Sequence, residues 1–293
     1  MKKKILILGY SSFFKRRILP SISKIKNLKI FICSKSSKVD LKKNIHFNNY
    51  NVALNKTKYD LVYVSLINPL HYYLAKKALM AGNNVIVDKP ITLNFIQTQK
   101  LINLAKKKNL LLLELIIFNY HIVFEKILKL IGGIKNLELI QSNFNVPKVK
   151  NLNEIIKKKN DCLQDMSPYA SAIVRIFLKG KINKFLVKKK YFNKKKIVKE
   201  FSLFAENKNV HFLGNFAISK EYLSKIAFFG QKKIIEIPFQ AFALSSKKPI
   251  LINYKKNNVS KKLYLKDDYI KRIFKKKLFG NFKKNYSLKN IIM

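Results

Sequence analysis

The sequence predicts an α/β protein: an N-terminal doubly wound parallel sheet, followed by an α+β domain with a mainly antiparallel open sheet. Patterns of buried strands and helices alternate over residues 1–118, as they do in parallel βαβ units. Several β-like segments then follow one another after residue 181, which is typical of an antiparallel sheet. A chain of 293 residues can form two domains, which we expect at 1–118 and 119–293.

The stretch from Tyr59 to Pro90 organises the first domain. Residues 60–65 form a short apolar run, as expected of a buried parallel strand. Residues 70–81 have a helical pattern that Gly82 ends, and the strand 85–87 then runs into Asp88-Lys89-Pro90. Ligands of parallel sheets lie beyond the carboxyl ends of the strands. Lys89 is therefore a candidate for chemistry on a bound molecule.

The same criteria predict the remaining elements. In the first domain we expect strands at 4–8, 28–33 and 110–114 and helices at 13–26 and 93–107. In the second domain we expect helices at 121–131, 162–178 and 267–278 and strands at 137–146, 182–192, 197–205, 209–217, 221–228 and 231–237. The Lys- and Asn-rich stretch 148–161 is expected to be a loop.

Composition limits the class of protein. The formal charge of +46 suggests either an anionic small ligand or a polyanion-binding face. Lysines lie along the whole chain beside abundant Asn, Ile, Phe and Tyr, a bias expected from AT-rich codons, so nucleic acid is the less favoured partner. No apolar run approaches the ~20 residues that cross a bilayer. Cys33 and Cys162 form no CxxC pair, so we expect no metal site and no disulfide framework. This cysteine usage suits a protein of the reducing cytoplasm.

The turn after the first strand is a candidate phosphate site. Gly9 ends the strand, and Ser11 and Ser12 can cap the helix that follows. A dinucleotide pyrophosphate would lie at this helix N-terminus, where Arg16 and Arg17 could add positive charge. Only the first glycine of a GxGxxG fingerprint is present, so an ordinary strand–turn–helix remains the alternative.

The second strand ends in Ser34-Lys35-Ser36 and lacks the acid that would bind the adenosine ribose of NAD. Hydroxyls and a cation suit a 2′-phosphate, which favours NADP(H) over NAD(H). The alternative is a solvated turn.

Four stretches resemble the glucose–fructose oxidoreductase/inositol dehydrogenase (Gfo/Idh/MocA) family, and within it the nucleotide-sugar 3-ketoreductases. They are LGYSSFFKRRILPSI, LINPLHYYLAKKALMAGNNVIVDKP, LIIFNYHIVFEKILKLIGGIKNLELIQSNFNVP and DCLQDMSPYASAIVRIFLKG. The second contains the counterpart of the family's Glu-Lys-Pro motif, with Asp88 in place of Glu and Ile67 in place of a proline. The resemblance implies an NAD(P)-binding Rossmann domain and a substrate-binding domain.

The resemblance also implies an activity. A hydride would pass between the nicotinamide and a sugar carbonyl or alcohol, with a nucleotide-linked keto-sugar as the favoured substrate. Lys89 would hydrogen-bond the reacting oxygen and Tyr169 would donate the proton; packing in the core is the alternative for Tyr169. Asp165 would bind a substrate hydroxyl or, alternatively, serve only as an acid at a helix start.

Further residues have roles implied by the same resemblance. Leu66, Asn68 and His71 would line the cofactor loop, although His71 is equally explained as a histidine bonded locally at a helix N-terminus. Asp88 would bind near the cofactor and hold Lys89 in place or, alternatively, be only a surface acid at a strand end. A homo-oligomer formed through the C-terminal sheet is expected. A free-sugar or inositol dehydrogenase and a catalytically idle Rossmann-fold binding protein remain the alternatives.

Overall fold

The computed structural model describes residues 2–35, 45–147, 155, 161–192, 196–218 and 220–280. The chain forms two compact units, one of Met1–Leu115 with Ile270–Met293 and the other of Ile116–Tyr269. This division differs from the expected domains 1–118 and 119–293, because the last helix groups with the first unit.

The first unit is built on a parallel sheet of six strands in the order β3-β2-β1-β4-β5-β6. Its strands are β1 (Lys3–Leu8), β2 (Leu28–Cys33), β3 (Ile45–Phe47), β4 (Leu61–Val64), β5 (Val85–Asp88) and β6 (Leu112–Leu115). From β1, strands β2 and β3 follow on one side and strands β4, β5 and β6 on the other. The strand order therefore changes direction at β1, as in a doubly wound sheet. The predicted fold of this part of the chain is confirmed.

Helices connect the strands of this sheet. They are α1 (Leu19–Ile22), preceded by a π-helical turn at Phe14–Ile18, then α2 (Tyr50–Asn55), α3 (Asn68–Met80) and α4 (Phe95–Lys107). Pro69 lies in the first turn of α3, where its missing N–H costs no hydrogen bond. Gly82 follows α3 with φ of +76°, a conformation that favours glycine, and so ends the helix.

A continuous apolar layer joins this sheet to its helices. Leu8, Val64 and Val87 at the strand ends are fully buried, as are Ala75 and Ala78 on α3. Each fully buried Leu or Val contributes about 1.5–3 kcal/mol. The carboxyl ends of β1, β4 and β5 are therefore held firmly side by side.

The second unit is a mainly antiparallel sheet of eight strands in the order β14-β13-β12-β11-β7-β10-β9-β8, in which β7 and β10 pair in parallel. The strands are β7 (Leu137–Val146), β8 (Lys184–Phe192), β9 (Ile197–Glu206), β10 (His211–Ile218), β11 (Leu223–Gly230), β12 (Lys233–Ile237), β13 (Ile250–Lys256) and β14 (Val259–Leu265). The helices are α5 (Val123–Ile131) and α6 (Cys162–Phe177), and α7 (Tyr269–Phe279) begins at the boundary with the first unit. The predicted α+β class is confirmed.

Among the described residues, no helix is both long enough and apolar enough to span a membrane. Except for residues 155 and 161, the predicted loop 148–161 lies outside the described residues.

Candidate functional site

The turn after β1 lies directly against the end of β4. Gly9 has φ of +104°, and a Cβ at this position would lie 2.1 Å from the Ser65 carbonyl oxygen. Any other residue would clash with this backbone and strain its own. Gly9 therefore allows the first turn and the end of β4 to approach each other.

Asp88, the last residue of β5, directs its carboxylate into the protein. The Tyr63 phenol donates a hydrogen bond to Oδ1, and the Ser65 hydroxyl donates one of 2.7 Å to Oδ2. Burial raises the pKa of Asp88, and the bonds from Tyr63 and Ser65 oppose that shift. The same burial and the neighbouring carboxylate raise the pKa of Tyr63 well above its ordinary value.

Ser11 also directs its hydroxyl inward. Its oxygen lies 2.8 Å from the Ser65 oxygen and accepts the Phe14 N–H at 3.0 Å, which is the N-cap arrangement predicted from the sequence. Ser12 is exposed, and its carbonyl accepts the Arg16 Nε–H at 3.3 Å. Arg17 lies half-buried in the same π-helical turn.

Lys89 and Pro90 are joined by a cis peptide bond, and the Pro90 carbonyl is held by His71. The His71 ring is fully buried, with Nδ1 2.7 Å from the Pro90 oxygen and Nε2 3.0 Å from the Leu66 oxygen. A neutral imidazole can donate to only one of these carbonyls, whereas an imidazolium donates to both. His71 thus bridges the two loops predicted to bind cofactor, and its buried ring lies between them.

Glu114, the third residue of β6, accepts the Ile91 N–H at 2.9 Å. Asp88, the residue before Lys89, is therefore held by Tyr63 of β4 and by Ser65 just after β4. Pro90 and Ile91, the two residues after Lys89, are held by side chains of α3 and β6. The half-buried Lys89 is carried on backbone that is fixed on both sides. We call residues 88–91 the Lys89 corner.

The corner after β2 is the predicted ribose site. Ser34 is buried; its N–H donates to the Phe47 carbonyl at 2.9 Å, and its own carbonyl lies 3.2 Å from His46 Nε2. Lys35 is exposed, with its ammonium 6.0 Å from the centre of the Tyr50 ring. Ser36 lies outside the described residues.

In the second unit, Asp165 and Tyr169 lie one turn apart on α6, and both are half-buried. The Tyr169 ring packs against Phe118, Phe144 and Phe242, with ring centres 5.5, 5.6 and 5.7 Å away. This packing fixes the direction of the phenol.

His121 is also buried in the second unit, where its Nδ1 accepts the Val123 N–H at 3.0 Å. His121 therefore caps the start of α5.

Sequence reasoning did not single out Tyr63, Ser65 or Glu114 as site residues. A usable signal was present, because each is a polar residue in or just after an otherwise apolar parallel strand. A polar group in that position needs a partner, and here Tyr63 and Ser65 meet Asp88 while Glu114 meets Ile91.

The strand order, the turn at Gly9 and the helix that starts at that turn define the first unit as a dinucleotide-binding Rossmann domain. Residues 3–115 match the model of the GFO_IDH_MocA family, described as an oxidoreductase family with an NAD-binding Rossmann fold. Residues 3–115 are therefore similar to the NAD-binding domain of the Gfo/Idh/MocA oxidoreductase family.

Curated relatives support the same family. The chain is 30% identical over 100 residues to dTDP-3,4-didehydro-2,6-dideoxy-alpha-D-glucose 3-reductase of Streptomyces violaceoruber, a match covering 33% of the chain and 29% of the relative. It is 25% identical over 214 residues to trans-1,2-dihydrobenzene-1,2-diol dehydrogenase of Xenopus tropicalis, a match covering 71% of the chain and 64% of the relative. The aligned stretches thus span less than two thirds of these relatives.

The fold is similar to that of KijD10, a 3-ketoreductase from Actinomadura kijaniata, whose crystal structure holds NADP and TDP-benzene. The TM-score is 0.88 at 18% identity, and the match covers 99% of this chain and 94% of KijD10. At that identity the similarity establishes the fold.

Proposed function

We propose that this protein is an NADP-dependent oxidoreductase that transfers hydride between the nicotinamide and the carbonyl or alcohol of a nucleotide-linked keto-sugar. The Lys89 corner is the observation that carries the proposal. It places a lysine at the carboxyl edge of a parallel sheet, next to the turn after β1, with Asp88, Pro90 and Ile91 each held by another element. Such preorganisation is what stabilises charge in a reaction.

The residues present fit an NADP cofactor. The close turn at Gly9 and the helix start after Ser11 suit a pyrophosphate, and Arg16 and Arg17 add positive charge. The exposed Lys35, with no acid at the end of β2, suits a 2′-phosphate. When bound, NADPH supplies the hydride.

The chain's own side chains would handle the substrate oxygen and the proton. Lys89 donates a hydrogen bond to the reacting oxygen and stabilises the charge that develops there. Tyr169 gives or takes the proton, and its ring packing limits the directions open to the phenol. Asp165 accepts a hydrogen bond from a substrate hydroxyl.

Three observations support a nucleotide-linked substrate. The relative from Streptomyces violaceoruber is named for a dTDP-linked sugar, and KijD10 was crystallised with a TDP compound. The net charge of +46 would also attract a substrate that carries a diphosphate.

A second candidate is a dehydrogenase of small, unphosphorylated diols or free sugars. The match to the diol dehydrogenase of Xenopus tropicalis favours it, since this match covers 71% of the chain. Activity with a nucleotide-free diol and none with nucleotide sugars would select this alternative.

We also propose a homo-oligomer that forms through the outer face of the second sheet. Leu186, Leu213 and Ile234 lie on that face and are 55%, 40% and 40% exposed. Buried residues of the same strands, such as Phe212, occupy the opposite face. Exposed apolar side chains on one face of a sheet suit an interface with a second copy of the chain.

Fluorescence titration of the purified protein with NADPH and NADH, followed by turnover assays with dTDP-linked keto-sugars and with diols, tests the function. We expect selective binding of NADPH and reduction of a nucleotide-linked ketone. Absence of binding by either cofactor would contradict the proposal and favour an idle scaffold.

A further inference from the structure

A chain of hydrogen bonds connects the end of β5 to the turn after β1. It runs from the Asp88 carboxylate through the Ser65 hydroxyl, at 2.7 Å, to the Ser11 hydroxyl, at 2.8 Å. The Phe14 N–H ends the chain with a bond of 3.0 Å to Ser11. The candidate catalytic corner and the candidate phosphate turn are therefore linked through side chains.

The direction of every proton in this chain follows from counting donors. A serine hydroxyl has one proton to donate, and Ser65 gives its proton to the ionised Asp88. Ser11 must therefore donate to Ser65, because no other proton is available for their contact. With Asp88 charged, the Ser11 hydroxyl donates its proton to Ser65. A phosphate at this turn would then accept hydrogen bonds from backbone N–H groups but not from the Ser11 hydroxyl.

The chain would run in reverse if the Asp88 Oδ2 position became a donor. A donor at that position would donate a hydrogen bond to Ser65, and Ser65 would then donate to Ser11. The Ser11 hydroxyl could then donate to an acceptor that is not part of this series of hydrogen bonds. Ser11 is half-buried, at the surface of the turn. A phosphate oxygen at the turn would be such an acceptor.

We propose that Asp88 sets, through Ser65, the direction in which the Ser11 hydroxyl donates, and thereby how strongly the turn after β1 binds a dinucleotide phosphate. Asp88 and Ser65 are thus positioning residues of the cofactor site. This inference rests on the proposed function, since it assumes that a dinucleotide binds at this turn.

The surroundings of Asp88 allow a change of protonation. Tyr63 from β4 donates to it, and the charges of His71 from α3 and of the adjacent Lys89 favour its ionised form. The rings of Phe14 and Phe274 pack against Tyr63 and make this side of the cluster apolar. Burial outweighs these groups and raises the pKa of Asp88. Phosphate binding would then be accompanied by proton uptake, and affinity would fall as the pH rises through the Asp88 pKa.

The test is a double-mutant cycle read by NADPH titration. Asp88→Asn is nearly isosteric, can accept from Tyr63 through its oxygen and donates to Ser65 through its amide. We expect it to bind NADPH about threefold to tenfold more tightly, the effect of one gained hydrogen bond. Ser11→Ala in the Asp88→Asn background should abolish the gain, whereas Ser23→Ala, at an exposed serine just after α1, should retain it.

A second measurement uses the wild-type protein and Ser65→Ala, which breaks the chain. NADH is the probe for this pH series, because it lacks the titrating 2′-phosphate. The wild type should lose NADH affinity as pH rises, and Ser65→Ala should show a flatter profile.

The outcomes distinguish a failure of this inference from a failure of the proposed function. Failure of the wild type to bind either cofactor contradicts the proposed function. Wild-type binding with no gain in Asp88→Asn, or a gain that survives Ser11→Ala, overturns the inference alone. If Asp88→Asn does not fold, identical pH profiles for the wild type and Ser65→Ala overturn it.

Discussion

The Tyr63 phenol donates a hydrogen bond to the Asp88 carboxylate and so joins a residue inside β4 to the residue that ends β5. The rings of Phe14 and Phe274 lie 6.0 and 5.6 Å from the Tyr63 ring and enclose it in apolar surface. The acid that precedes Lys89 is therefore anchored within the protein, and its position depends on groups far away in the sequence.

Tyr63→Phe is expected to lower the free energy of unfolding by about 1–3 kcal/mol, because the Asp88 carboxylate loses one of its donors. Urea denaturation would measure the loss. Tyr73→Phe on α3, where the side chain is 52% exposed, is the control and should change stability by less than about 0.5 kcal/mol. Equal effects of the two substitutions would show that the Tyr63 hydroxyl contributes nothing specific.

Asp88 should make stability depend on pH. Burial raises its pKa in the folded protein above the ordinary value, so the native state binds this proton more tightly than the unfolded state does. The wild type should therefore lose stability relative to Asp88→Asn as the pH rises from below the ordinary pKa to above the raised one. Urea unfolding of both proteins across this range would measure the difference, and a difference that does not change with pH would refute the expectation.

Lys89→Ala should bind NADPH as the wild type does and lose turnover by about a hundredfold or more, the scale for removing one group that stabilises developing charge. Steady-state kinetics and cofactor titration would separate the two effects. Lys126→Ala, an exposed lysine on α5, should leave both unchanged. Full turnover in Lys89→Ala would eliminate its catalytic role.

Tyr169→Phe removes a hydroxyl and keeps the ring that packs against Phe118, Phe144 and Phe242. We expect a fall in kcat of about a hundredfold or more, as for loss of a general acid, with little change in thermal stability. Tyr222→Phe, with the side chain 49% exposed, is the matched control. If kcat is retained, the ring serves packing alone.

Leu213→Glu should dissociate the proposed oligomer, because it places a charge among the exposed apolar side chains on the outer face of the second sheet. Sedimentation velocity would report the mass of each protein. Ile96→Glu on α4, where the side chain is 64% exposed, should keep the wild-type mass. A monomeric wild type would contradict the interface directly.

The sequence predicted the long, strongly patterned elements well. The predicted strands 28–33 and 137–146 coincide with β2 and β7, because apolar runs or alternation with clear stops mark both ends. Among the strands and α-helices of the described residues, β3, α2, β13 and β14 were missed. These elements are short or rich in Lys and Asn, and β14 is largely exposed at the sheet edge. Because few of their residues are buried, their sequences show little alternation of apolar and polar residues.

The predicted helix 13–26 is also shorter in the structure and begins as a π-helical turn, which spacing of apolar residues does not distinguish from an α-helix.

The position of the Lys89 corner could be predicted, since a charged residue after a buried strand is visible in one sequence. The inward bonds of Ser11, Asp88 and His71 could not. Their partners lie 54, 25 and 19 residues away, and only the packing of neighbouring strands decides which polar groups meet. The roles of these residues in the cofactor site remain predictions.

The contact between Phe274 and Tyr63 bears on how the protein is made. Phe274 lies in α7, which follows all eight strands of the second sheet in sequence, yet it packs on Tyr63 of the first sheet. On the ribosome, the six strands of that sheet emerge long before α7 does. The Tyr63 side of the nascent first sheet would stay uncovered until residues 270–279 have been made, and chaperones that bind exposed apolar surface would recognise it during that interval.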